Sequence, residues 1–275
     1  MQRTFVVFSG LPGKMATEVF HLLQADERFG VIPFALTGKE ITPEVNDDGI
    51  QLIHADAITP TWWKSLRDQY PGLIVIDFTH PNAVNLNAEM YQKNKLNFVM
   101  GTTGGNRDLL AHIFDGEFDN CAVIAPNMAK QVVMFQAMMQ FAAENFPNAF
   151  AGYTLEITES HQTGKKDTSG TAKAMVEYFN ALGIPFGVDQ IIMVRDPEKQ
   201  LEMGIPENAL GGHGFHTYTA KSADGNVLFQ FTHNVCGRSN YAQGTRDAVL
   251  FLRKAVDSGV KGRIFSMKDV LKGNV

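Results

Sequence analysis

The stretch Glu159-Ser160-His161-Gln162-Thr163-Gly164-Lys165-Lys166-Asp167-Thr168-Ser169-Gly170-Thr171 gathers a carboxylate, an imidazole, two ammonium groups and a run of small polar residues. His161 and Lys165 can each donate or relay a proton. The backbone N–H groups of Ser169, Gly170 and Thr171 open a helix, and with the helix dipole behind them they suit a carboxylate. Lys166 can add a charge-assisted contact. A hydrophilic loop ahead of a capped helix is the alternative, and a lone histidine or lysine would be read that way. The clustering points instead to acid–base chemistry on a carboxylate-bearing molecule. His161 and Lys165 are then the catalytic pair, and Lys166, Ser169, Gly170 and Thr171 bind the substrate.

A second set of residues suits a dinucleotide. In Gly10-Leu11-Pro12-Gly13-Lys14-Met15-Ala16, Gly10 permits a tight turn. Gly13 lets the backbone approach a pyrophosphate seated on the helix that Lys14 and Met15 begin, and Ala16 replaces the usual third glycine. At the end of the next predicted strand an NAD-selective site commonly carries a carboxylate for the ribose 2′-hydroxyl. Here Thr37 and Lys39 suit a 2′-phosphate, while Glu40 stands close by, so the cofactor is NADPH or NADH with a lean to NADPH. Phe78 and Thr79, Gly101, Thr102 and Thr103, and Pro126 and Asn127 each follow a predicted parallel strand, where ligands of open α/β sheets bind. Arg238 completes the cofactor-binding set and could also hold a second carboxylate bidentately. His213, His216 and His233 fall in predicted strands and read as satisfied strand histidines, and no metal site is spelled out.

The elements that must position these groups follow from periodicity. Thr4–Phe8 is an apolar run that fits a buried parallel strand. Ile32–Leu36, Leu73–Asp77, Phe98–Gly101 and Ala122–Ala125 are further strand candidates. Helical stretches separate most of them, at Met15–Leu23, Thr61–Asp68, Ala83–Lys93 and Arg107–Ile113. Strands alternating with helices imply a parallel sheet with right-handed crossovers. After Asn127 the pattern changes. One helix rich in Met and Phe, Val132–Asn145, reads as flexible core filler. Strand candidates Tyr153–Thr158, Val188–Val194, Gly214–Lys221 and Val227–His233 follow, the last two joined by a hairpin signal around Asp224-Gly225. A helix from Thr171 to Leu182 interrupts them, capped by Ser169 and ended by Gly183 and Pro185. A last helix, Tyr241–Ser258, returns to the first domain. The fold class is therefore α/β: a Rossmann-type parallel sheet with a second α+β domain on an open mixed sheet. The dinucleotide-binding domain is placed at 1–127 and 239–275, and the substrate-binding domain, to which the family resemblance given below adds oligomerisation, at 128–238.

A chain of 275 residues suits about two domains at ~150 residues each. A net charge of −5 argues against nucleic acid as a partner. No apolar run is long enough for a membrane span, and the start of the chain lacks the pattern of a signal peptide. The two cysteines, Cys121 and Cys236, match no metal-ligand spacing and read as reduced thiols. The expected location is the cytoplasm, or a plastid if a transit peptide has been removed.

With its E-S-H-Q-T-G-K-K-D-T-S-G-T run, the chain resembles the dihydrodipicolinate reductase family. The other blocks match in order: G-L-P-G-K-M, D-F-T-H-P, G-T-T-G, A-P-N, and the late Arg238 before Y-A-Q-G. Gln162 stands where many members have a second histidine. The proline before Ser169 is absent, and Met128-Ala129-Lys130 replaces a commoner Phe-Ser pair. These departures resemble the plant-type branch. The resemblance implies NAD(P)H-dependent reduction of 4-hydroxy-tetrahydrodipicolinate to tetrahydrodipicolinate with loss of water, in lysine and diaminopimelate biosynthesis. It also implies a homotetramer assembled through the second domain. The substrate would be a cyclic imine with two carboxylates. Hydride would go to its conjugated ring carbon, and the electron-rich product would be protonated with His161 as acid/base and Lys165 stabilising charge or supplying the proton. Closure between the domains is expected before transfer. The rivals are another two-domain Rossmann reductase of a small acid and a non-catalytic NADPH-sensing regulator.

Overall fold

The computed structural model describes residues 3–114 and 118–273. Met1, Gln2, Asp115, Gly116, Glu117, Asn274 and Val275, and with them the outer ends of the expected first domain, lie outside the described residues. The chain divides into two compact units, residues 1–130 with 239–275, and residues 131–238.

The first unit carries a parallel sheet of β1 (Thr4–Ser9), β2 (Phe29–Thr37), β3 (Gln51–His54), β4 (Ile74–Asp77), β5 (Asn97–Met100), β6 (Cys121–Ile124) and β11 (Arg263–Phe265). Their order is β3-β2-β1-β4-β5-β6-β11, the doubly wound arrangement of a Rossmann sheet. Strands β1 and β4 are buried on both faces, which is why they read as unbroken apolar runs rather than as alternation. Helix α1 (Lys14–Gln24) buries Ala16, Val19, Phe20 and Leu23, a 3.6-residue stripe. Helix α2 (Pro60–Gln69) starts with Thr59 Oγ1 accepting from the Trp62 amide and Pro60 in its first turn. Helices α3 (Val84–Lys93) and α4 (Arg107–Ile113) complete the crossovers. Later in the chain, α8 (Ser239–Asp257) packs on α1, β5 and β6. Gly244 of α8 lies so close to the Met128 carbonyl that a Cβ there would sit 1.7 Å from the oxygen.

The second unit has a four-stranded mixed sheet, β10 (Leu228–Cys236), β9 (His213–Lys221), β7 (Thr154–His161) and β8 (Ile192–Val194), in that order. Strands β7 and β8 are parallel, and the other pairs are antiparallel. Helix α6 (Gly170–Ala181) buries Ala172, Met175, Val176 and Phe179 into a core shared with Ile157 and Tyr218 of the sheet and Met139 of α5 (Lys130–Asn145).

Several elements differ from expectation. The run expected as one strand from Val188 begins with a 3-10 turn at Val188–Gln190, because the Gly187 amide donates to Gln190 Oε1 at 2.6 Å, and only Ile192–Val194 pairs. Helix α7 (Pro197–Glu202) adds a second helix between the strands, capped by Asp196. Strands β3 and β11 and helix α9 (Met267–Lys272) were not expected. Helix α5 is not simply core filler. It is apolar on more than one face, so Met139 and Ala143 are buried while Met134, Met138 and Phe141 stay exposed.

Candidate functional site

In the first unit, neighbours β1 and β4 are where strand order reverses, so their carboxyl ends open a crevice. Gly10 follows β1 with φ +114°, and a Cβ there would lie 2.2 Å from the Phe78 carbonyl oxygen. A Cβ on Gly13 would meet the Gly10 carbonyl oxygen at 2.7 Å. The turn is closed by the Gly13 amide donating to that carbonyl at 2.8 Å. Gly13 caps α1 without a side chain, leaving the amides of the first turn to other acceptors. Lys14 is exposed and Met15 half-buried in that turn. Gly101 is packed against a side chain instead, since a Cβ would lie 2.2 Å from the Phe78 ring.

The loops after β4 and β5 are tied together by a buried carboxylate. Asp77 Oδ1 accepts from the Thr79 amide at 3.1 Å, the Thr79 hydroxyl at 2.8 Å and the Thr102 hydroxyl at 2.8 Å. Its Oδ2 accepts from Asn87 at 2.9 Å and Tyr91 at 2.7 Å. Thr79 and Thr102 are therefore held as a pair, while Thr103 is exposed. Burial and the Asp77 charge push the Tyr91 phenol well up, so it stays a donor. A cavity of about 510 Å³ runs from this floor past Gly10 and Gly13 to Thr37, Gly38 and Glu40. At its far end Thr37 Oγ1 is buried without a partner. Lys39 pairs with Asp56 at 2.9 Å, and the Glu40 carboxylate folds over Gly38. Pro126 is exposed beyond β6, and Asn127 Oδ1 accepts from the Ala129 amide at 2.9 Å. Gly10 and Gly13, where a Cβ would run into backbone, an uncapped helix start and a cavity along both fit a dinucleotide.

In the second unit the strand register builds the cluster. Parallel pairing of β7 with β8 sets Ser160 opposite Val194, which brings Arg195 abreast of His161. Antiparallel pairing sets Glu159 opposite His216 and His161 opposite Gly214, and His216 opposite His233. Glu159, His216 and His233 thus form one row across three strands. Glu159 is fully buried. Its Oε1 accepts from Arg195 Nη2 at 2.7 Å, and its Oε2 accepts from the Ser169 amide at 3.0 Å. His161 Nε2 and His216 Nε2 stand 3.6 and 3.5 Å from the same Oε2. His161 Nδ1 lies 2.9 Å from the His213 carbonyl, which fixes the proton on Nδ1. Burial, and then the neighbouring His216, holds His161 well below the usual histidine range despite the pull of Glu159. Burial alone would push the Glu159 carboxyl up, but the facing His216 ring and the hydrogen-bonded Arg195 guanidinium more than offset it and keep it ionised.

Lys165 pairs with Asp167 at 2.8 Å. Ser169 caps α6, its Oγ accepting from the Thr171 amide at 3.2 Å. Of the three amides expected to hold a carboxylate, those of Ser169 and Thr171 thus already donate within the protein. Lys166 is exposed. Arg238 lies in this unit, with its guanidinium against Gly212. His213 is satisfied as expected, by Ser160 Oγ at 2.9 Å and the Ala209 carbonyl at 3.1 Å. His216 is not, because both of its ring nitrogens are buried without a hydrogen bond. Glu159, His161 and His216 bring potential metal ligands within 4.8 Å of one another. Both oxygens of Glu159 are engaged, however, and the adjacent guanidinium opposes a second cation. Arg195, and Gln200, whose Nε2 donates to the His161 carbonyl at 2.8 Å, were not singled out from sequence.

Residues 4–128 match the family described as Dihydrodipicolinate reductase, N-terminus, and residues 131–271 match Dihydrodipicolinate reductase, C-terminus. A relative named 4-hydroxy-tetrahydrodipicolinate reductase 2, chloroplastic, from Arabidopsis thaliana is 47% identical over 277 residues, covering 98% of this chain and 78% of the relative. A 4-hydroxy-tetrahydrodipicolinate reductase from Burkholderia multivorans is 32% identical over 205 residues, covering 72% of this chain and 73% of the relative. Dipicolinate-bound dihydrodipicolinate reductase from Paenisporosarcina sp. TG-14 shares the fold, with a TM-score of 0.66 at 19% identity over 98% of this chain and 99% of the other.

Proposed function

Because this chain belongs to the dihydrodipicolinate reductase family, we propose that its two sites carry out NAD(P)H-dependent reduction of 4-hydroxy-tetrahydrodipicolinate to tetrahydrodipicolinate, with loss of water, in lysine and diaminopimelate biosynthesis. The observation that carries the assignment of residues is the gathering of His161, Lys165 and the Ser169-capped start of α6 around one buried Glu159–Arg195 pair.

The first unit binds the nicotinamide cofactor, which supplies a hydride when bound. Gly10, Gly13, Lys14 and Met15 cradle its pyrophosphate, and Phe78, Thr79, Gly101 and Thr102 form the floor for its ring. Thr103, Pro126, Asn127 and Arg238 stay with that set as proposed contacts. NADPH is the preferred form and NADH is also accepted. Thr37 offers an unpartnered hydroxyl for a 2′-phosphate. Lys39 is 80% exposed, so its ion pair with Asp56 is easily exchanged. Glu40 suits the free ribose hydroxyl of NADH.

The second unit holds the cyclic dicarboxylate imine. The Gly170 amide, the Thr171 hydroxyl and Lys166 take one carboxylate at the helix start. His161 is a neutral imidazole whose Nε2 is buried against Glu159, and Lys165 therefore carries the positive charge that the electron-rich intermediate meets. Lys165 delivers the proton, and His161, held through Nδ1 on the His213 carbonyl, is the acid/base partner beside it. In a coupled assay with enzymatically condensed pyruvate and aspartate semialdehyde, Lys165→Ala and His161→Ala lose ~10²–10⁴-fold in turnover while NADPH affinity is retained. Unchanged rates in both variants would move the chemistry elsewhere.

The same sheet supports a homotetramer, since Leu228 and Phe229 on β10 and Ile192 and Met193 on β8 are exposed. No helix among the described residues is long and apolar enough to cross a membrane. With both cysteines free, a reducing compartment, cytoplasm or plastid stroma, is the proposed location.

A further inference from the structure

The loop that carries Lys165 leaves β7 at His161 and ends at the Ser169 cap of α6, and both halves of it are anchored to the same buried ion pair. Arg195 Nε donates to the Lys165 carbonyl at 2.7 Å, and Nη2 donates to Glu159 Oε1 at 2.7 Å. Nη1 donates to the Val194 carbonyl at 3.0 Å, and Nη2 also lies 3.4 Å from the Asp167 carbonyl. The other oxygen of Glu159 accepts the Ser169 amide at 3.0 Å. One guanidinium thus grips the middle of the loop and one carboxylate grips its end, and each holds the other.

Resting on the reading of this site as the imine-binding site, we propose that Arg195 is a positioning residue: through Glu159 it sets Lys165 and the α6 amides at one fixed separation, so that the substrate carboxylate and the proton donor are matched to a single ligand. Neither Arg195 nor Glu159 touches the substrate. The Ser169 amide is spent on Glu159 and anchors the cap rather than binding the ligand. A guanidinium is required because its planar fork serves a carboxylate and a backbone carbonyl from different edges at once, which a single ammonium cannot do. The parallel register of β7 with β8 delivers Arg195 to this position.

The test uses the full chain as wild type, Arg195→Lys, Arg195→Ala and Glu159→Gln. Arg195→Lys should raise KM for the imine, and the Kd of dipicolinate used as an inert dicarboxylate probe, by about tenfold or more, with KM for NADPH within about twofold. Guanidinium ion added to Arg195→Ala should recover dipicolinate affinity by about threefold or more, while an equal concentration of ammonium ion should not. In wild-type protein without ligand, the Ser169 amide should exchange slowly with solvent, and exchange across 162–171 should quicken in the variants with the interior of α6 unchanged. Unaltered imine and dipicolinate constants in Arg195→Lys, or fast exchange of the Ser169 amide in wild type, overturns the proposal. The wild-type exchange measurement decides it even where a variant fails to fold. A wild-type chain that neither reduces the imine nor binds dipicolinate refutes the functional reading instead, and leaves the exchange result to judge the anchor by itself.

Discussion

Gly10→Ala should disable cofactor binding without touching the substrate site. Gly10 sits at φ +114°, a conformation that costs a side chain about 1–3 kcal/mol. The added Cβ would also meet the Phe78 carbonyl oxygen at 2.2 Å and its carbon at 2.7 Å, where ordinary contact begins at 3.4 Å. Both atoms are backbone, so no side chain can swing aside. The turn after β1 and the strand end after β4 must separate by about 1 Å, and a displacement of that size at a reacting centre costs ~10²-fold, or ~2.7 kcal/mol. The assay is NADPH binding by fluorescence together with kcat/KM from initial rates, with dipicolinate binding measured in parallel. Loss of about a hundredfold in NADPH affinity, and with it in kcat/KM, with dipicolinate binding intact is the expected result. NADPH affinity within about twofold of wild type would refute the argument, because it would mean that this close approach does not shape the cofactor site.

Lys39→Ala should lower the NADPH-to-NADH ratio of kcat/KM by about 5–10-fold and Glu40→Ala should raise it, checked by initial rates with each cofactor; no change in either variant removes both residues from coenzyme selection. Burial, with help from His216 and His161, holds His233 down to about 4. Its folded pKa therefore lies below the unfolded value of ~6.5, and the stability it contributes is present above pH ~6.5 and lost as pH falls toward 4. Urea unfolding at pH 7 and pH 5 should show that loss, at most ~1.4 kcal/mol per pH unit and less for a partly exposed ring, and His233→Leu should reduce the difference between the two pH values. Phe229→Asp should convert the proposed homotetramer to smaller species in light scattering, by placing a charge among the exposed apolar residues of β10; an unchanged mass would clear β10 of any part in assembly.

The parallel sheet was legible because β1, β4 and β5 are buried on both faces and therefore appear as short apolar runs between helical stripes. Strands β3 and β11 are four and three residues long, too short to show a period. Two missed helices did carry signals. Asp196-Pro197 is an N-cap followed by proline in the first turn, and Ser266 with Asp269 forms a capping box. At the site, the segment from Glu159 to Thr171 was legible because its chemistry is contiguous. His216 and Arg195 were not, because their approach to Glu159 depends on which strands lie side by side. An isolated Val194-Arg195-Asp196 announces nothing until β8 is paired with β7.

The row of Glu159, His216 and His233 makes the partners of the buried carboxylate a property of strand alignment. Sliding β9 by a single residue along β7 would turn His216 to the opposite face and leave the buried carboxylate facing a different partner. The hairpin at Ser222–Val227, remote in sequence from Lys165, pins part of that alignment through the Ser222 amide bonded to the Val227 carbonyl at 2.9 Å. Non-local pairings of this kind form only after long loops have closed. The surroundings of Glu159 are therefore complete only once β7 has paired with both β8 and β9.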